Sequence, residues 1–163
     1  MTNRPKLKIA LTTTDKILEI AGALTVVVLW AVAIINYTTL PAEIPIHFNL
    51  SGQADNYGAK GIIFALPIIG TIEFVLLTIL NKYPHTFNYL TTITTDNALR
   101  QYTIATRLIR YLKFVIGLIF LLIVIKMVQT VKGNSEGLGI WFLPLTLGLI
   151  FIPLLYAIFN IRK

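Results

Sequence analysis

ILEIAGALTVVVLWAVAIINY, residues 17–37, decides the architecture. At 1.5 Å of helical rise per residue such a run crosses about 30 Å of bilayer hydrocarbon. Arg4, Lys6 and Lys8 precede it, as they would precede a signal peptide. Its apolar stretch is longer than a signal peptide's, however, and Asn36-Tyr37-Thr38-Thr39 is no small-residue cleavage site, so a retained helix is expected. Working outward, residues 61–80, 114–131 and 138–159 are apolar runs of similar length. The sequence therefore predicts one all-α domain over 1–163, an integral membrane four-helix bundle. Its connections are an outer loop at 38–60 and an inner segment at 81–113.

Composition agrees. The chain has 163 residues, 56% hydrophobic and only 13% charged, with a mean hydropathy of +0.77. A soluble surface needs roughly a quarter charged residues, so much of this one meets something other than water. Cysteine is absent, which excludes disulfides, thiolate metal sites and cysteine nucleophiles. The net charge of +7 does not mark a nucleic-acid protein. Its basic residues gather at the ends of apolar runs rather than on a solvated face.

Those basic residues set the orientation. Arg4, Lys6, Lys8 and Lys16 precede the first run, Lys82, Arg100, Arg107, Arg110 and Lys113 lie between the second and third, and Arg162 and Lys163 end the chain. The other two connections carry only Lys60 and Lys132, and Lys126 lies near the outer end of the third run. The positive-inside bias predicts both termini and residues 81–113 on the cytoplasmic side of a cell membrane. Asp96 or Thr95 is expected to cap a helix running into the third span. Arg107, Arg110 and Lys113 then read as headgroup anchors. Pro67, Pro144 and Pro153 fall inside spans, where each frees a carbonyl that lipid cannot satisfy.

Two places invite chemistry. Glu73 lies deep in the second run, where a charge costs about 3 kcal/mol or more, so it should face other helices and meet a polar group. The loop LPAEIPIHFNLSGQADNYGAK, residues 40–60, holds His47 and Asp55, with Glu43 as a third donor for a metal. That set is incomplete for zinc. Ile44, Ile46, Phe48 and Leu50 alternate, which predicts an ordered extended segment folded onto the spans as a lid. In that lid Asp55 should be held by local amides or by Lys60, and His47 should face inward. GxSxG, HExxH, Walker and Rossmann spacings are missing, and no cofactor is expected.

The loop pattern Pro41-x-x-Ile44-Pro45-x-His47-Phe48-x-x-x-Gly52-x-x-Asp55-x-x-x-x-Lys60 resembles the DUF1648 family, the membrane domain of bacterial SdpI-type immunity proteins. A second block, Asn88-Tyr89 followed by Thr94-x-Asp96-Asn97-Ala98-x-x-Gln101-Tyr102, is similar to that family's cytoplasmic segment. It departs at Leu90, where proline is usual, and at Asp96, where glutamate is. Longer immunity proteins add a second membrane half with an Asn-x-x-x-Gly-Ile-Arg pattern. Here Asn160-Ile161-Arg162-Lys163 ends the sequence, so a short form is expected.

The resemblance implies a non-enzymatic protein of immunity or sensing type. His47, Asp55 and Lys60 would meet a peptide or envelope ligand outside. Asn97, Gln101 and Tyr102 would signal to a cytoplasmic protein partner, with Glu73 between the two groups. The rival class is a membrane enzyme or small transporter, in which Glu73 and the loop residues handle protons, metal or substrate.

Overall fold

The computed structural model of the chain describes residues 4–161, so Arg162 and Lys163 lie outside the described residues. The elements run α1 (Thr13–Tyr37), β1 (Glu43–Phe48), β2 (Ala54–Ala59), α2 (Ala65–Leu80), α3 (Ala98–Val131) and α4 (Phe142–Ile161). Short 3-10 turns at Lys60–Phe64 and Pro84–Thr86 complete the order. The chain is mostly helical, with four helices long and apolar enough to cross a membrane. The expectation of helix alone needs one correction, because residues 43–59 form an antiparallel hairpin.

α1 starts four residues before the apolar run. Thr12 caps it in a capping box, its backbone N–H donating to Asp15 Oδ2 (2.9 Å) while Asp15 N donates to Thr12 Oγ1 (3.3 Å). α3 absorbs the basic half of the inner segment, and its 34 residues extend about 51 Å, well beyond the hydrocarbon. Its N-cap is Asn97, rather than Asp96 or Thr95, which bond each other.

α1 and α3 are parallel and closely packed. Partners along their seam sit 91 to 95 residues apart, from Glu19–Arg110 to Thr12–Arg107. Small residues permit the approach: a Cβ on Gly117 would stand 2.5 Å from Thr25 Oγ1, and one on Gly22 3.8 Å from the Phe114 Cα. α3 also packs on α2, α4 and β1, which makes it the central helix. The apolar core lies at the hairpin end, where Leu29, Ala33, Ile44, Ile63, Val124 and Met127 are buried together.

The prolines behave differently from one another. Pro67 and Pro144 fall in the first turns of α2 and α4, where no intrahelical N–H is lost. Pro153 lies inside α4 and leaves the Leu149 carbonyl without its i+4 donor. The Tyr111 hydroxyl from α3 donates to that carbonyl at 3.1 Å, so the defect of one helix is repaired by its neighbour. Tyr111→Phe is expected to strand the carbonyl and destabilise the fold by about 1–3 kcal/mol. Denaturant titration in detergent micelles would read this, and an unchanged midpoint would show that the bond contributes nothing.

Candidate functional site

The hairpin begins from its register. Glu43 pairs with Ala59, Ile44 with Gly58 and Pro45 with Tyr57, and irregularities follow between Pro45 and Phe48. Ile44 is fully buried among α1 and α3 residues, whereas Ile46 and Leu50 are exposed, so the apolar alternation does not describe one buried face. At the tip, Asn49 Oδ1 accepts from Ser51 N and Gln53 N, and Gly52 takes a positive φ of 76°. The Gly52 carbonyl accepts from Leu138 N (2.6 Å) and Gly139 N (3.4 Å), tying the tip to the α3–α4 connection.

His47 and Asp55 face each other across the hairpin, Nδ1 to Oδ1 at 2.5 Å, with side chains 64% and 41% exposed. This corrects two expectations: His47 faces outward, and Asp55 is held by His47 rather than by amides or Lys60. Lys60 instead turns toward the end of α1. Its Nζ donates to the Tyr37 and Leu40 carbonyls (3.4 and 3.3 Å) and stands 4.8 Å from the Tyr37 ring centre. Among the described residues no three His, Asp or Glu side chains come together as a metal site, so Glu43 does not join His47 and Asp55.

The opposite end holds the feature that sequence reasoning missed. Arg110 and Lys113 are buried rather than fanned out to headgroups, and Arg107, its side chain 41% exposed, turns its Nε inward. Arg107 Nε donates to Asp15 Oδ1 (2.9 Å), and Arg110 Nε to Glu19 Oε1 (3.1 Å). Lys113 Nζ donates to Glu19 Oε2 (2.5 Å) and Thr78 Oγ1 (2.8 Å), and lies 4.2 Å from the Phe74 ring centre. All three directions of the ammonium are therefore used, and the Lys113 side chain is fully buried. Glu73 of α2 makes no ion pair with this network among the described residues, and its Oε1 is buried without a hydrogen bond. Two carboxylates of α1 thus face three cations of α3, with Thr78 of α2 completing the cluster. The signal for it was Asp15 and Glu19, four residues apart on one face of α1 and complementary to the cations of α3.

Asn97, Gln101 and Tyr102 do not form an open patch. Asn97 Nδ2 donates to the Thr92 carbonyl and Oδ1 accepts from Thr94 N, closing a local turn. Gln101 and Tyr102 are buried, and the Tyr102 hydroxyl donates to the Pro5 carbonyl (3.1 Å). Arg4 clamps the same region, donating to the His85 and Phe87 carbonyls (3.2 and 2.6 Å) and covering the Tyr89 ring. Burial pushes the Tyr89 phenol above its ordinary range, with the Tyr102 ring adding to the shift and Arg4 opposing it. These side chains fasten the N-terminal tail and the 84–89 segment to α3.

Comparison with known proteins adds a limited frame. An uncharacterized protein of Archaeoglobus fulgidus is 28% identical over 86 residues, covering 48% of this chain and 47% of that protein. The chain thus spans about half the length of the curated relative it matches. No solved structure matches. Residues 24–71, from mid-α1 through the hairpin into α2, match the family described as a domain of unknown function, DUF1648.

Proposed function

We propose that this multi-pass membrane protein is a non-enzymatic sensor or immunity protein that meets a peptide or envelope ligand through the outward face of its hairpin. In this reading it sits in the cytoplasmic membrane as one domain, both termini inside. The carrying observation is the hairpin's two-sidedness. Ile44 is locked into the bundle core, while His47 and Asp55 stand exposed on the same strands. A ligand bridging that pair would bear directly on the packing of α1 against α3. The clamped segment of Arg4, Tyr89 and Tyr102, with Asn97 and Gln101 beside it, lies at the other end of those helices and would answer to a cytoplasmic partner. Resemblance to the SdpI-type proteins supports the choice of a peptide ligand.

Expression of the chain in a strain sensitive to a secreted peptide toxin should raise survival. His47→Ala and Asp55→Ala should each abolish that protection at unchanged membrane abundance. Full protection by both variants would remove the hairpin pair from the function.

The transporter reading draws on one specific observation, the buried Glu73 oxygen that makes no hydrogen bond. Against it, Glu73 is not among the residues lining the large cavity of about 630 Å³ between α1, α3 and α4.

A further inference from the structure

That cavity has a chemistry of its own. Arg100, Thr103, Ile104, Arg107, Leu108 and Tyr111 line it from α3, spaced three and four residues apart along one helix face. Leu18 of α1 and Pro153 and Ala157 of α4 form the facing walls, and among the described residues no acidic side chain lines it. Tyr156 at the rim is exposed, so the cavity is reached from the lateral surface that lipid would cover.

Its polar groups are gathered toward the start of α3, and its apolar ones continue toward Tyr111 about 16 Å further along the axis. Arg107 is partly spoken for, with Nε and Nη2 on Asp15 and Thr12. Arg100 donates through Nη2 to the Asn160 carbonyl, and no ion pair neutralises it among the described residues. Both guanidiniums therefore keep N–H groups for an added acceptor, and no carboxylate among the described residues pairs with Arg100.

We propose that the cavity binds one anionic phospholipid. Arg100 and Nη1 of Arg107 take the phosphate, while the Thr103 hydroxyl stays on the Leu99 carbonyl at 2.7 Å. An acyl chain lies along Ile104, Leu108 and Pro153. Guanidinium forks suit phosphate oxygens, and among the described residues the lining offers no carboxylate to receive the ammonium of a zwitterionic headgroup. The lysine and arginine bias assigns this end of the bundle to the cytoplasmic leaflet, where anionic lipids collect.

Native mass spectrometry of the whole protein, released from micelles doped with phosphatidylglycerol or phosphatidylcholine, tests the assignment. Wild type should retain one phosphatidylglycerol and shed phosphatidylcholine. Arg100→Gln, which keeps a donor for Asn160, should weaken phosphatidylglycerol retention roughly tenfold, the effect of one lost charge-assisted bond. Thr103→Trp should fill the cavity and remove the adduct with helical content unchanged. Lys82→Gln, at an exposed lysine outside the cavity, should behave as wild type. Equal retention of the two lipids, equal retention by wild type and Arg100→Gln, or displacement of the lipid by inorganic phosphate would each overturn the proposal. Should Thr103→Trp fail to fold, Arg100→Gln alone decides.

Discussion

Replacing Lys113 by methionine is expected to cost about 3–5 kcal/mol of stability, the penalty for removing one member of a buried ion pair. The ammonium sits between Glu19 Oε2 at 2.5 Å and Thr78 Oγ1 at 2.8 Å, against the Phe74 ring. Methionine fills the volume but leaves Glu19 with Arg110 alone and takes the ammonium from Thr78 Oγ1. The double variant Lys113→Met with Glu19→Gln should lose less than the two single variants added together, because removing both charges removes the mismatch. Denaturant titrations of the four proteins in mixed micelles measure the coupling. A loss below about 1 kcal/mol for Lys113→Met would mean that water or headgroups solvate Glu19, as they do for an exposed surface pair.

The sequence displays the spans because crossing hydrocarbon requires long apolar runs, and those are visible residue by residue. It hides the charge network because a basic residue near a span end looks the same whether it faces lipid or a neighbouring helix. Arg110 and Lys113 are buried only because α1 lies parallel to α3, placing Glu19 beside them from 91 and 94 residues away. Asp15 and Glu19 themselves read as the ordinary start of a helix. The loop was legible as an extended apolar segment, but its pairing was not. Ile44 has a buried partner surface in α3 whereas Ile46 packs over Gly58, and that distinction depends on register and tertiary contact rather than alternation. Likewise His47 and Asp55, eight residues apart, meet only because the turn at Asn49–Gln53 brings the strands face to face.

That turn carries the second large effect. Gly52→Val should detach the hairpin tip from the α3–α4 connection while leaving the bundle folded. Gly52 holds φ at 76°, which costs a β-branched residue about 1–2 kcal/mol. A Cβ there would also stand 2.5 to 2.7 Å from the backbone of Gly139, a rigid neighbour that cannot rotate aside. Relieving that overlap adds about 1–3 kcal/mol, so the strain totals roughly 2–5 kcal/mol. The cheapest release is to give up the two bonds that the Gly52 carbonyl accepts from Leu138 and Gly139. The base of the hairpin should stay put, since Ile44 remains in the core with Leu29 and Val124. Amide hydrogen exchange in micelles should therefore quicken at 49–53 and 137–139 and stay slow around Ile44. Gly61→Ala, where an added Cβ meets nothing within 4 Å, should leave the same amides unchanged. Unaltered exchange in Gly52→Val would show that the tip is not held by these bonds. If the tip does come free, loss of protection with His47 and Asp55 intact would mean that the pair works only when the hairpin is docked.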